Sequence, residues 1–314
     1  MNLLLTSIGK RVELITHLKT CFRVVGVDAT DINPGKHFTD AFYRIPRCTS
    51  SSYLKEILQL CEKEEIQVLI PLYEKEFSVL NQGRKELEKR GVKLLLSEEA
   101  VISLCNDKIE TAKFFDRHNL PAPKTYFNFA LGGEAIFPLI IKPSDGMGSE
   151  NVFRIKNTVE LEFFYTYIEN PVIQECVEGE EYTVDVLCDE EGKPLYIVPR
   201  IRLEIRSGEV SKSRVSMNYK VIEETKKLLA CLREEGKVRG PLTLQCFVTG
   251  DNTIKWIEMN PRFGGGVPLS FAAGADYAKA IFMMCQGKEP VVSKEIKELI
   301  MLRYDQSVFD RWKD

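Results

Sequence analysis

Glu258, Asn260 and Arg262 close an apolar run, Trp256-Ile257-Glu258-Met259-Asn260-Pro261-Arg262-Phe263, and Gly264-Gly265-Gly266 follows at once. On a strand, residues two apart share a face, so a carboxylate and a carboxamide would project together from one rigid edge. Oxygen ligands placed this way suit Mg²⁺, or Mn²⁺, which takes a few protein oxygens and leaves its other positions to water and substrate phosphates. Arg262 adds a planar fork of donors for phosphate or carboxylate. A strand end with solvated polar groups would carry the same string.

Two further stretches could handle a nucleotide. Phe137-Pro138-Leu139-Ile140-Ile141-Lys142-Pro143 reads as a strand with one lysine at its end, followed by Ser144-Asp145-Gly146-Met147-Gly148-Ser149. Glycines and hydroxyl residues make a pliable loop whose backbone N–H groups can close over phosphates. A plain hairpin turn leading to a strand at Asn151–Ile155 would look much the same. Val172 to Asp185 reads as strand, acidic turn, strand, where an adenine ring could lie against apolar side chains and a carboxylate could accept from ribose hydroxyls. In isolation that stretch is equally an edge turn kept soluble by acidic side chains. Arg200, Arg202 and Arg206 stand at even spacing, so a strand would aim all three one way. Such a row needs counter-anions, either a carboxylate substrate and its phosphorylated form or Glu204 and Glu209. Lys212 is a further candidate for contact with a transferring phosphate.

The elements that must position these residues fall into two patterns. Asn2–Thr6, Arg23–Val27 (ending at Asp28), Gln67–Pro71 and Val92–Leu96 read as strands, and Arg11–Cys21, Tyr53–Lys63 and Glu76–Arg90 as helices, with a loop at Asp31–Gly35. Such alternation implies a parallel sheet covered on both faces. A dinucleotide-binding domain fails on detail, because Ser7-Ile8-Gly9-Lys10-Arg11 has one glycine where the pyrophosphate fingerprint wants three. Asp28, though placed like a ribose-binding acid, then reads as a strand-end polar residue. After Ser97 the pattern changes: Asn106-Asp107-Lys108 opens a helical run through Phe115, and Leu120-Pro121-Ala122-Pro123 is extended. Glu223–Glu235 reads as a helix packed on a sheet, and Val267–Gln286 as core. The tail, Lys294–Asp314, packs as a final strand and helix or takes part in dimer contacts.

Composition narrows the function classes. The chain has 314 residues, 44% apolar and 28% charged, with a formal net charge of −3, and its basic residues are scattered. Nothing there recommends a nucleic-acid or anionic-membrane partner. Nine cysteines without a C-x-x-C pair argue against a zinc site or a disulfide framework and for a reducing cytoplasm. The opening apolar run is too short for a signal peptide, and no stretch reaches transmembrane length. His17, His37 and His118 read as structural or surface residues, away from the candidate chemistry.

Taken in order, Lys108, Lys142 with its glycine loop, the Glu175–Glu181 hinge and Glu258-Met259-Asn260-Pro261-Arg262 resemble the ATP-grasp superfamily. The likeness is to the synthetase half of the carbamoyl-phosphate synthase large subunit and short free-standing proteins similar to it, and it covers nearly the whole chain. It implies an α/β fold, α+β in its nucleotide-binding part. A Rossmann-like pre-ATP-grasp domain (1–104) would precede an ATP-grasp small lobe with its lid (105–179) and a large lobe with metal site and tail (180–314). The resemblance further implies that Lys108 and Lys142 contact the nucleotide phosphates and that Gly146, Met147, Gly148 and Ser149 fold down as a lid. Glu175, Cys176 and Val177 would line the adenine, Glu175 and Val177 with backbone groups, and Glu181 would hold the ribose. Gln245, Glu258 and Asn260 would hold Mg²⁺, and Arg262 would face the transferring phosphoryl group, with Arg206 and Lys212 as further catalytic candidates.

Two features depart from the wider pattern. Gln245 is a neutral oxygen where many relatives carry an acid, which marks a subtype. The hinge glycine stands one residue closer to its ribose glutamate, Gly179-Glu180-Glu181, so Glu180 is an alternative to Glu181. The implied activity is ATP-dependent carboxylate-amine ligation through an acyl phosphate, with an amino acid or related small metabolite as substrate. An ATP-binding sensor or partner-binding module of the same fold is the alternative. A nicotinamide-dependent oxidoreductase using the first domain is a third reading, and a homodimer is left open.

Overall fold

Both faces of the first strand are covered, which is why Leu3, Leu4 and Leu5 stand consecutively and are all fully buried. The structure, a computed structural model, describes residues 1–129, 136–146, 150–206, 208–293 and 295–311. Met147, Gly148 and Ser149, expected in the lid, lie outside the described residues.

The N-terminal part contains β1 (Asn2–Thr6), α1 (Val12–Leu18), β2 (Arg23–Asp28), β3 (Ala41–Arg44), α2 (Tyr53–Lys63), β4 (Ile66–Pro71), α3 (Glu74–Gln82), α4 (Arg84–Lys89) and β5 (Lys93–Leu94). Its five strands are parallel in the order β3-β2-β1-β4-β5, as the alternating pattern predicts. The single helix expected at Glu76–Arg90 is instead two. They meet at Gly83, where an added Cβ would stand 2.5 Å from Leu54 Cδ1, so close approach to α2 fixes the break. Asp28 accepts hydrogen bonds from Gly9 N at 3.0 Å and Thr30 N at 3.2 Å, so its carboxylate braces the first strand–helix turn.

Two helices, α5 (Glu99–Asn106) and α6 (Lys108–Arg117), lead into a four-stranded antiparallel sheet ordered β6-β9-β7-β8, made of β6 (Thr125–Tyr126), β7 (Leu139–Pro143), β8 (Phe153–Ile155) and β9 (Pro171–Glu175). Helix α7 (Thr158–Tyr167) packs on it, burying Leu161 with Leu139, Ile141 and Ile155. Then come β10 (Glu180–Cys188), β11 (Pro194–Arg206), β12 (Glu209–Val215), α8 (Tyr219–Glu235), β13 (Gly240–Val248), β14 (Ile254–Asn260), α9 (Pro268–Ala272), α10 (Tyr277–Cys285) and β15 (Ile300–Leu302). The six strands form an antiparallel sheet ordered β14-β13-β10-β11-β12-β15.

Helix α8 seals one face of this sheet through Val221, Leu228, Leu229 and Leu232. On the other face a continuous core joins Leu3, Leu14 and Ile15 of the N-terminal part to Tyr196, Val198, Phe263 and Tyr277. That shared core fixes the first strand–helix turn against the glycine turn after β14. The tail supplies edge strand β15 beside β12, and no helix follows it among the described residues.

Candidate active site

Gln245 on β13 and Glu258 on β14 are direct cross-strand partners, and Asn260 lies opposite Thr243. Directly opposed residues have Cβ atoms about 5 Å apart, so one patch of sheet gathers three side-chain oxygens. Asn260 Nδ2 donates to Glu258 Oε1 at 3.0 Å. Arg202 Nη1 donates to Gln245 Oε1 at 3.3 Å and also to Glu181. Glu258 is the one carboxylate among Gln245, Glu258 and Asn260, and no group of three His, Cys, Asp or Glu side chains among the described residues could hold a metal. Hard divalent cations favour charged oxygens, so a cation here needs more anionic oxygen than the protein offers.

The opposite wall is cationic. Lys142 is buried on β7, and the described residues give its ammonium no hydrogen bond or ion pair. Burial pushes it down to about 8, against the opposing pull of Glu258 and with repulsion from Lys108 adding to the fall. Lys108 opens α6, whose cap is Asp107, accepting from Ile109 N at 2.7 Å and Glu110 N at 3.2 Å. Its Nζ donates to Gly146 O and, at 3.5 Å, to Ser144 O, which ties the start of the glycine loop to the helix. Burial lowers the Lys108 ammonium too, and Glu258 is the largest influence holding it up.

Between these walls lies a cavity of ≈ 300 Å³ lined by nine of the ten described residues expected to meet nucleotide or metal: Lys108, Lys142, Gly146, Glu175, Cys176, Val177, Glu181, Gln245 and Glu258.

 The tenth, Asn260, lines a second cavity of ≈ 190 Å³ that adjoins the first through Lys108, Gly146, Ile257 and Glu258. Ile140, Val152, Phe247 and Ile257 supply apolar walls.

At the hinge, β9 runs into β10 through Cys176–Gly179. Glu175 gives its backbone N–H to Lys124 O at 2.8 Å, whereas the N–H of Val177 has no acceptor among the described residues. An added Cβ on Gly179 would stand 2.4 Å from Val248 O, so the turn demands glycine. The shortened hinge leaves Glu181, not Glu180, at the cavity: Glu180 is exposed on the alternate face of β10 and pairs with Arg214 at 3.8 Å.

The remaining candidates are distributed differently from the expectation. Arg262 Nε donates to Glu74, at the start of α3, and Glu74 itself lines the second cavity. The arginine row does not form one anion site. Arg200 is buried against Asp185 (Nε to Oδ2, 2.8 Å), Arg202 turns to Glu181 and Gln245, and the ladder shifts register between Arg202 and Ile205, which ends the even spacing. Arg206 and Lys212 are exposed, and both pair with Glu204 outside the two cavities, so neither meets the other candidates. His17 stacks on Phe271 and accepts from Ala278 N at 3.1 Å, a structural role. Sequence reasoning missed Glu74 and set Arg202 in the substrate-facing row, where the structure pairs it with Glu181 and Gln245. Glu74 carries no local signal because its partner is far along the chain, whereas Arg202 faces Glu181 from the neighbouring strand.

Residues 105–266 match the family model described as the ATP-grasp domain, and residues 3–95 match the PylC-like N-terminal domain. The chain belongs to the ATP-grasp family. It is 25% identical over 279 residues to the carbamoyl phosphate synthase large chain of Clostridium acetobutylicum, covering 82% of this chain and 25% of that one. The chain thus spans about a quarter of the length of that relative. It is 26% identical over 208 residues to the D-alanine–D-alanine ligase of Fusobacterium nucleatum, covering 61% of this chain and 71% of the ligase. The fold matches that of N5-carboxyaminoimidazole synthetase from Staphylococcus aureus, solved with ADP, at a TM-score of 0.78 and 16% identity, covering 96% of this chain and 82% of that one. The recognition and the fold expected from the motifs are borne out, including a parallel sheet at the N-terminus. No helix among the described residues is long and apolar enough to cross a membrane.

Proposed function

We propose that this ATP-grasp protein is an ATP-dependent carboxylate-amine ligase whose nucleotide lies between the small lobe (105–179) and the large lobe (180–314). The observation that carries the reading is Lys142, a buried ammonium with no acceptor among the described residues, facing the lone carboxylate of the Gln245–Glu258–Asn260 set across an apolar-walled cavity. A cation without an anion on one side and a metal set short of anionic oxygen on the other are complementary to one ligand type, a polyphosphate carrying a divalent cation. Relatives named as ligases, and a fold neighbour solved with ADP, support the same reading.

Gln245, Glu258 and Asn260 would hold Mg²⁺, which when bound offsets phosphate charge. Lys142 and Lys108 would neutralise phosphate oxygens, and Ile140, Val152 and Ile257 would flank the adenine while Val177 offers its free N–H. Glu181 would take the ribose hydroxyls. Phosphoryl transfer asks mainly for positioning and for charge set in place beforehand, which these residues provide without a nucleophilic side chain. In the overall reaction a carboxylate oxygen bonds to the γ-phosphorus as ADP leaves. An amine then bonds to the acyl carbon, giving up a proton, as phosphate leaves. Nine cysteines, none in a disulfide, suit a reducing cytoplasm.

Calorimetry of ADP binding with and without Mg²⁺, on the wild type and Glu258→Ala, tests the proposal. Mg²⁺ should tighten binding to the wild type, and the variant should lose at least roughly tenfold of that gain, the lower end of what even a ligand's outer partner costs a metal site. Binding that ignores both Mg²⁺ and the substitution overturns the reading. Release of ADP from ATP in the presence of carboxylates and amines then separates a ligase from a sensor of the same fold.

A further inference from the structure

A cavity of ≈ 670 Å³ lies apart from the two nucleotide-side cavities, between the first strand–helix turn (Lys10, Arg11), the glycine turn (Gly264, Gly265) and the tail around Arg303. Leu14, Phe38, Val267, Leu269 and Met301 give it an apolar wall beside the charged groups. At its inner end stands Arg11, whose guanidinium receives no hydrogen-bond acceptor and no ion pair from the described residues. Its guanidinium reaches the glycine turn: a Cβ built on Gly265 would lie 3.3 Å from Arg11 Nη1.

The charges around Arg11 do not balance. Arg262, Arg303, Glu74 and Glu209 are the groups that act on it, so three guanidinium groups share two carboxylates. Both carboxylates are engaged elsewhere, Glu74 by Arg262, and Glu209 by Lys10 at 3.2 Å and Arg303 at 3.6 Å. Arg303 also donates to Gly265 O, and its Nε is buried without a partner among the described residues. Burial, with repulsion from Arg262 next, pulls Arg11 down to about 10. The surplus is one positive charge in a partly desolvated place. Lys10 and Glu13, exposed at the mouth, pair with Glu209 and with Arg303 (3.7 Å) and add one charge of each sign, which leaves the surplus unchanged, while Asp305 is exposed to solvent.

An electrostatic link joins this cleft to the nucleotide side. Glu74 lines the ≈ 190 Å³ cavity beside Glu258 and acts on Arg11 as well. A group held at Arg11 would therefore lie within the electrostatic reach of Glu74, a wall of the cavity that holds Glu258.

We propose that this cleft is the acyl-donor site and takes a monocarboxylate with an apolar body, its carboxylate held by Arg11. The proposal rests on the ligase reading for what happens to that carboxylate, but not for its binding. One net positive charge matches one carboxylate, the guanidinium fork matches its two oxygens, and the apolar walls match a hydrocarbon body. Two kinds of molecule share this chemistry: an apolar α-amino acid, whose ammonium would turn toward Glu209, and a plain carboxylic acid.

Calorimetry on the full chain, with Mg²⁺ and a nonhydrolysable ATP analogue and again without them, tests this with L-phenylalanine, 3-phenylpropanoate and L-glutamate as probes. At least one of the first two should bind, and L-glutamate should bind at least about tenfold more weakly, since it would bury a second carboxylate. Whichever of the two monocarboxylates binds tighter identifies the kind of substrate. Arg11→Ala should weaken that probe by roughly 10- to 150-fold, the range for a hydrogen bond to a charged group, and Arg11→Lys should restore part of the affinity as a point charge without the fork. The affinity for the ATP analogue should hold in both variants, which also certifies that they are folded. Failure of both monocarboxylates to bind the wild type, equal binding by Arg11→Ala, or glutamate binding as tightly overturns the proposal. Loss of Mg²⁺-dependent analogue binding by the wild type would instead sink the ligase reading, while the titrations without nucleotide still report on Arg11.

Discussion

Replacing Lys142 with methionine should make the nucleotide-free protein more stable. Lys142 falls from an ordinary 10.5 to about 8 because burial penalises its charge. At about 1.4 kcal/mol for each pH unit, that difference corresponds to about 3 kcal/mol. Between pH 8 and 10.5 the folded chain holds fewer protons at this site than the unfolded chain, so stability rises with pH across that window. Below pH 8 the penalty is present in full, and above 10.5 it is gone. Methionine keeps the length and an apolar stem without the charge. The variant should therefore exceed the wild type by up to about 3 kcal/mol at pH 7 in urea denaturation, and the two should converge near pH 10.5. Binding should move the other way. A phosphate beside Lys142 would stabilise its charged form, so wild-type affinity for MgADP should weaken above pH 8, and the methionine variant should bind weakly with no such dependence. A variant no more stable than the wild type at pH 7, or a gap that does not narrow with pH, would refute the account of Lys142 as a desolvated cation awaiting an anion.

Two further outcomes concern the frame around the site. Glu76 is buried with Thr6 and Ser7 donating to its carboxylate, and burial raises it to about 7. The folded chain then holds a proton that the unfolded chain releases above 4.5, so this group's contribution is full below pH 4.5 and declines by about 3 kcal/mol as pH rises through 7; thermal melts of Glu76→Gln against the wild type should show that slope removed. Gly179→Ala would bring Cβ within 2.4 Å of the Val248 carbonyl. It should cost about 1–3 kcal/mol in urea denaturation, more than Gly83→Ala, where the obstacle is the end of the Leu54 side chain.

How much was legible follows from the range of the interactions. The parallel sheet was readable because its strands are short apolar runs separated by helical spacing, and Lys142, the hinge and Glu258–Asn260 were readable because each lies within one strand or turn. Sequence spacing failed where another element intervenes. Leu54 breaks the expected helix at Gly83, and a register shift in β11 turns Arg206 away from Arg202. Glu204 then pairs with Arg206, one of the two options the sequence had left for the arginine row, and with Lys212 as well. The junction of Glu74 with Arg262 and Arg11 joins residues from both ends of the chain, and no local pattern announces it.

The site is also more than a set of contacts, because Glu258 acts on groups it does not touch. It is the largest influence keeping both Lys108 and Lys142 protonated against burial, while it is itself the lone carboxylate of the Gln245–Glu258–Asn260 set. Those two tasks compete. A divalent cation on Glu258 would cancel the field that supports the lysines, and they would then release protons unless phosphate oxygens arrived with the metal. Metal without nucleotide is therefore disfavoured on two counts, too few anionic oxygens and two destabilised ammonium groups. Nucleotide without metal leaves phosphate charge opposed to Glu258. Only the pair would relieve both walls at once, so on the proposed reading the cavity would select the metal–nucleotide complex over either component through electrostatics that are set before anything binds.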